Sequence, residues 1–313
     1  MTPSIDVVIP THGGWELTER CLEHLAAQTV EHAVHVVDNG STDGTPELVR
    51  AAAAGAAVLE LGANLGFPVA CNRGAAAGNG DVIVLMNNDV DARPDFLERL
   101  VQPLDNECVG SVAGLLVRPG ERVIDSMGLT VDRTLAGFPR LRGQTVSEAG
   151  SSSPVLTGPA GGGGAYRRAA WEQVGGLDEG VLFYGEDVDL ALRLRAAGWR
   201  TAAAPEAVAV HVGSATAGHR SAWQRYQGGF ARGYFLRRYQ LPAAPRALAT
   251  EAVVVAGDAV LSRDLSALRG RVAGWRAAGG REAAPSPPDD AIDGGIGFRE
   301  SLRLRRVVYA RSS

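Results

Sequence analysis

Lysine is absent from the 313 residues, so all 31 basic side chains are arginine. Its absence excludes Schiff-base chemistry and the lysine of a Walker phosphate loop. Cysteine is sparse. Cys21, Cys71 and Cys108 are far apart and odd in number, which leaves no disulfide framework and no CxxC metal knuckle. Each reads as a small buried hydrophobe in a reducing compartment. Long apolar runs are also missing. The most apolar late stretch, Ala252 to Leu261, is too short to cross a bilayer and is broken by Asp258. The first residues carry neither a basic n-region nor an apolar h-region, so no signal peptide is expected and a cytoplasmic location is. Neither sign of charge dominates: 31 basic against 35 acidic groups leave a net charge of −4. A general polyanion binder would be basic, and nucleic acid is therefore not an expected partner. What is present, 45% hydrophobic and 21% charged residues, suits one large or two modest globular domains.

The first half alternates strand and helix. Ile5 to Ile9 is a short β-branched run ended by Pro10, and Trp15 to Ala27 follows with helical spacing of Leu17, Cys21, Leu22 and Leu25. Val34 to Val37, Val58 to Leu61 and Val82 to Met86 are further strands, separated by helical stretches Pro46 to Ala54 and Pro68 to Ala77. Apolar strands in this alternation predict an α/β fold with a mostly parallel sheet covered by helices on both faces. Ligands of such sheets bind beyond the carboxyl ends of the strands. The residues there are Thr11, Asp38 and the run Asn87, Asn88, Asp89. The G-x-G-x-x-G turn and the Walker pattern are both missing, which disfavours hydride transfer and P-loop chemistry.

Beyond residue 105 the pattern changes. Val109 to Val117 and Arg122 to Ile124 read as strands of a mixed-sheet extension, and Leu135 to Ser153 as a polar, mobile loop. Gly161 to Gly164 permits close backbone approach, either as a flexible loop or as the floor of a ligand site. A short helix is expected around Ala169 to Val174, a helix from Asp187 to Ala197 and a strand from Ala207 to Val210 leading into His211. Trp171 fits a core position.

Six motifs stand in order: Val8-Ile-Pro-Thr11, Val37-Asp-Asn-Gly-Ser-Thr-Asp-Gly44, Asn64-Leu-Gly-Phe67 with Asn72-Arg-Gly74, Leu85-Met-Asn-Asn-Asp89, Gly175-Gly-Leu-Asp-Glu179 and Gly185-Glu-Asp-Val-Asp-Leu190. This order resembles the family 2 glycosyltransferases of GT-A fold, in particular the rhamnosyltransferase-like branch acting on bacterial polysaccharides. The resemblance spans roughly residues 4 to 240. It implies a GT-A-type catalytic domain over 1–215, with a nucleotide-binding part over 1–105 and an acceptor-binding part over 106–215. A helical extension over 216–284 and a C-terminal tail over 285–313 would follow.

The resemblance places Pro10, Thr11, Asp38, Asn64, Asn72, Asn87 and Asn88 at a nucleotide-sugar site. Asp38 can accept the N3–H of uracil or thymine, although its cluster reads equally as a turn. Asp89 falls at the position of a metal carboxylate, with Asn87 where the family carries another, and Asp91 is expected to face the loop before Pro94 or the helix after it. Few protein oxygens are needed when phosphates complete the octahedron of a hard cation such as Mg²⁺ or Mn²⁺. His211 is either a satisfied strand-end histidine or, by the resemblance, a further metal ligand. Carboxylates at a helix N-terminus complement its dipole. The resemblance goes further and implies Asp187 as catalytic base, with Glu186 orienting the acceptor. Asp189 and Arg193 form an i,i+4 ion pair of structural type.

Residues 223 to 239 interleave aromatics with arginines. They either pack on the catalytic domain or meet anionic lipid at the inner face of the plasma membrane. The implied activity is inverting transfer of a sugar, rhamnose being one candidate, from a dTDP- or UDP-linked donor. The acceptor would be a glycan, lipid-linked saccharide or natural product, and a second copy of the chain is a further candidate partner. The rival readings are a sugar-1-phosphate nucleotidylyltransferase and a catalytically idle nucleotide-sugar-binding partner.

Overall fold

In a computed structural model, which describes residues 3–213, 221–241 and 245–308, the chain first alternates as the periodicity predicts. The elements are β1 (Ile5–Thr11), α1 (Trp15–Ala26), β2 (Ala33–Asp38), α2 (Thr45–Ala52), β3 (Ala57–Glu60), α3 (Phe67–Ala77) and β4 (Val82–Met86). Strands β3, β2, β1 and β4 lie side by side and parallel. Alternate residues of β1 separate the two cores, as strand geometry requires. Ile5, Val7 and Ile9 join Cys21, Leu22 and Leu25 of α1, whereas Val8 packs with Ala70, Cys71 and Ala75 of α3. Helices thus cover both faces.

Next come β5 (Val90–Ala92), α4 (Phe96–Val101), β6 (Val109–Val117), β7 (Ile124–Ser126), β8 (Leu129–Val131), β9 (Gly137–Pro139), β10 (Gly163–Arg167), α5 (Arg168–Val174), α6 (Glu186–Ala196) and β11 (Arg200–His211). The sheet runs β3-β2-β1-β4-β10-β6-β11-β5, with β7 on the side of β6. Strand β10 is antiparallel to both β4 and β6, and β5 is antiparallel to β11. The sheet is therefore mixed, and the last strand is longer than the expected Ala207 to Val210.

Leu135 to Ser153 differs from the expected mobile loop. Leu135, Phe138 and Leu141 are buried there, and the Arg140 guanidinium is buried with them, donating to the carbonyls of Ser151 and Pro154. Thr145 and Glu148 close a capping box. The polar composition hid an apolar set whose spacing follows no single period.

The last elements are α7 (Ala222–Arg238), α8 (Pro245–Ser262), α9 (Ser266–Ala277) and α10 (Phe298–Val308). Within the helical extension expected over 216–284, α8 and α9 are separated by a break near Arg263, whose φ is +52°. Gly229 and Gly233 of α7 face the α9 backbone, and Gly270 and Gly274 of α9 face that of α7. A Cβ at any of the four would stand 2.2 Å or less from a carbonyl oxygen. Two G-x-x-x-G stripes let the helices touch backbone to backbone.

The aromatic, basic stripe of 223–239 turns mostly inward, which favours the packing alternative over lipid contact by these residues. Tyr234, Phe235 and Leu236 are buried and Arg232 is held by Glu251, while Trp223 stays exposed. The boundary expected at 215/216 lies outside the described residues. The segment expected as a tail is laced to residues of the 106–215 part: Thr157 donates to the Ala291 carbonyl at 2.7 Å, and Ser301 donates to Asp132 at 2.5 Å. Among the described residues no helix is long and apolar enough to cross a membrane.

Candidate active site

The tips of β1 and β2 form one wall. Thr11 is buried, and its hydroxyl lies 3.1 Å from the Gly13 carbonyl and 3.3 Å from the Asn88 amide nitrogen. Asn88 also donates to Thr18 on α1 at 3.1 Å, so it ties the β4 end to the β1–α1 turn. Pro10 precedes this turn, half-buried. Asp38 is buried and accepts the backbone N–H groups of Gly40 and Ser41 at 3.1 Å. These bonds fulfil the turn-forming reading.

Asn39, which had attracted no assignment, bridges to the next loop. It accepts from Leu65 N–H at 2.8 Å and donates to Asn64 Oδ1 at 3.1 Å. Asn72 is not brought to this group. Its amide clamps the Leu177 backbone from both sides and reaches Glu179, each at 2.9 Å, so it fastens α3 to the segment before α6.

The centre is set by strand register. The chain leaves β4 at Met86, crosses Asn87 to Asp89 and enters β5, where Val90 pairs with His211 of β11. That pairing puts His211 Nε2 3.4 Å from Asp89 Oδ2. On the other side of the ring, Nδ1 lies 2.8 Å from Asp125 Oδ2 on β7, and Arg142 donates to Asp125 Oδ1 at 2.8 Å. Burial alone would lower the His211 pKa, but the two carboxylates overcome it and raise it to about 10. Burial would likewise raise Asp125, yet His211 and Arg142 hold it down at about 2.

Asp89 Oδ1 is buried without a hydrogen-bond partner. An orphaned carboxylate oxygen beside an imidazole fits a divalent cation: Asp89 and His211 would hold it, and Asp125 would orient the imidazole from behind. Among the described residues no cluster of three or more His, Cys, Asp or Glu side chains forms a closed cage. Most of the coordination shell would therefore come from ligand oxygens and water. Asp91 does not join Asp89. It faces α1, where it pairs with Arg20 and approaches His24, rather than the loop or helix expected for it.

The opposite wall is the α6 N-terminus, entered through Gly185 at φ +82°. Asp187 accepts N–H bonds from Val188 at 2.8 Å and Gly161 at 3.4 Å. Glu186 is buried, and its Oε2 has no partner. Burial first, and then the Asp187 charge, push the Glu186 carboxyl up to about 8. Asp187 is also raised by burial, but the Val188 and Gly161 N–H groups oppose that. Of two adjacent carboxyls, the one with backbone donors keeps the negative charge and the other the proton.

Arg193 binds Asp189 at 2.7 Å and the carbonyls of Val174 and Gly176, completing a structural anchor for the helix. Trp171 is buried edge-on to Tyr166, a core position. Cys21 and Cys71 are buried as expected, but Cys108 is exposed.

One turn joins the two walls. Gly161 N–H points at Asp187, and the carbonyl of Gly162 accepts the Asn87 N–H at 3.5 Å. A Cβ on Gly162 would stand 2.8 Å from the Asn87 amide. The Asn87 to Asp89 run and Asp187 therefore meet at one turn, held to it one residue apart.

Comparison with known proteins shows the family and the fold. The model of Glycosyl transferase family 2 matches residues 6–175, and that of Glycosyl transferase family group 2 matches residues 137–271. The chain is 33% identical, over 239 residues, to the N-acetylglucosaminyl-diphospho-decaprenol L-rhamnosyltransferase of Mycobacterium tuberculosis. That match covers 67% of this chain and 76% of the relative. A mannosyltransferase from Pyrobaculum calidifontis, solved with GDP-Man and Mn²⁺, superposes with a TM-score of 0.53 at 21% identity, covering 88% of this chain and 85% of that one. S. aureus TarS in complex with UDP superposes at 0.52 and 18% identity, covering 74% and 65%.

Proposed function

The chain belongs to glycosyl transferase family 2, and from that premise we propose that it inverts the anomeric centre of its donor sugar as it passes the sugar to a hydroxyl. It is a nucleotide-sugar glycosyltransferase of GT-A fold and of rhamnosyltransferase-like type. Neither a nucleotidylyltransferase nor an idle binding partner is favoured beside that membership. The observation that carries the mechanism is the Gly161–Gly162 turn, which ties Asp187 to the Asn87–Asp89 strand end across one cleft.

Asp187 Oδ2 takes the proton of the acceptor hydroxyl, whose oxygen attacks the anomeric carbon. The bond from that carbon to the diphosphate oxygen breaks, and the nucleoside diphosphate leaves with the electron pair. Glu186, neutral at pH 7, donates a hydrogen bond that orients the acceptor without competing for the proton. A single displacement inverts the centre.

Pro10, Thr11, Asp38 and Asn64 line the nucleotide end, where Asp38 retains acceptor capacity for the N3–H of thymine or uracil. Asn87 and Asn88 border the sugar. Asp89 and His211 would hold Mg²⁺ or Mn²⁺, which when bound would supply Lewis-acid neutralisation of the departing diphosphate. The lipid-linked substrate named for the mycobacterial relative supports rhamnose as donor sugar and a lipid-linked saccharide as acceptor. It also supports work at the inner face of the plasma membrane.

Thermal-shift screening of dTDP, UDP and GDP with each metal identifies the base. Asp187→Asn should lower transfer by about 10²–10⁴-fold while leaving nucleotide binding intact. Near wild-type transfer, or an NMR-detected product that keeps the donor configuration, refutes the mechanism.

A further inference from the structure

Helix α8 has a face that the other described residues leave uncovered. Leu248, Val253, Val260 and Leu261 are 47%, 48%, 75% and 83% exposed. With Ala252 and Ala256 between them they recur every four or five residues, so they form one stripe along the helix. Among the described side chains no charged residue interrupts it: Glu251 is buried on the other side, bound to Arg232 and Arg271, and Asp258 is half-buried. Helix α9 continues the apolar surface with exposed Leu268, Val272 and Trp275. Exposed Arg263, Arg269 and Arg276 stand beside it. Contiguous exposed apolar surface of this kind marks an interaction site.

We infer that the α8–α9 face seats the protein on an anionic lipid surface, the apolar stripe entering the acyl boundary and the arginines meeting phosphate headgroups. Three observations favour lipid over a second copy. The stripe runs along a convex helix rather than a groove, which suits a planar partner. Its border is cationic in a chain whose net charge is −4, so the positive patch is local and complements anionic headgroups. A two-fold contact between copies would bring this cationic border onto both sides of the interface, a like-charge arrangement that costs affinity.

The layer also connects to the cleft. Ala231 of α7 packs 4.0 Å from the position a Cβ would take on Gly185, and the Tyr234 hydroxyl donates to Asp178 at 2.8 Å. Seating α8 and α9 on lipid therefore holds the loop before Glu186 near the bilayer. The inference rests on this surface and not on the mechanism in the cleft.

Co-sedimentation of the full chain with phosphatidylcholine vesicles, with and without phosphatidylglycerol, tests it. Wild-type protein should partition onto the phosphatidylglycerol vesicles. A Val260→Glu, Leu261→Glu variant should lose at least about 10-fold of that partition. An Arg263→Glu, Arg269→Glu variant, which leaves every apolar contact in place, should lose the preference for anionic lipid. Nucleotide-induced thermal shifts, unchanged in both variants, show that the fold and cleft persist. No vesicle binding by wild-type protein overturns the inference, as does equal binding by both variants. A wild-type dimer in sedimentation equilibrium that Val260→Glu, Leu261→Glu dissociates also overturns it, assigning the face to a second copy.

Discussion

Glu186→Gln separates the structural cost of the α6 carboxyl pair from its use. Glu186 is buried, its Oε2 has no partner, and its carboxyl titrates at about 8 instead of 4.5. An acid whose folded pKa is raised contributes stability that is complete below the unfolded value and lost as pH climbs toward the folded one. Between 4.5 and pH 7 the folded state forfeits 2.5 pH units at about 1.4 kcal/mol each, or ~3 kcal/mol. Glutamine has the same shape and no proton to lose. The variant should therefore match wild type near pH 4 and exceed it by up to ~3 kcal/mol at pH 7, as measured by urea melts across that range. The kinetics should diverge the other way on the pH axis. Wild-type kcat/KM should fall above about pH 8 as Glu186 ionises beside Asp187, and the variant should lack that limb. Stability curves that stay parallel from pH 5 to 8 would refute the burial argument. A falling limb retained in the variant would reassign the upper pKa to another group.

Asp125→Asn should cost stability with the opposite pH sign. Its carboxyl is held at about 2 instead of 3.8, so it contributes ~2 kcal/mol at pH 7 that disappears as pH falls toward 2; thermal melts of both proteins should converge in acid. His211 carries a proton up to about pH 10, and a cation must displace it from Nε2. Calorimetric Mn²⁺ affinity should rise from pH 6.5 to 8.5 in wild type and lose that slope in His211→Asn; a wild-type affinity flat with pH would remove His211 from the metal site.

How much of this was legible beforehand depends on the distance over which each feature is encoded. The four first strands, their helices and the α6 N-terminus follow from apolar spacing within one strand or a few turns. The motif order was enough to mark Asp89 and Asp187 as candidates, and the resemblance in fold added His211 as an alternative. Glycines 161 and 162 were visible as a flexible run, but their place between the two walls was not.

Residues that matter through distant partners were read wrongly or missed. Asp91 stands only two residues from Asp89, yet inside β5 it pairs with Arg20 of α1, whereas Asp89, in the turn before that strand, reaches His211. Asn72 sits in a motif near the donor loop, but its amide is used up on a backbone 105 positions away. Asp125 drew no attention, because nothing near it in the chain hints at His211, 86 positions later.

Amino-acid order alone determined the local geometry of this protein and the chemical types available at each strand end, since both arise from neighbours along the chain. Which carboxyl loses its solvent, which imidazole gains two anions and which helix face stays bare were settled only by tertiary packing. Desolvation and charge pairing depend on groups that meet in space, and residues tens of positions apart carry no periodic signal of where they will meet.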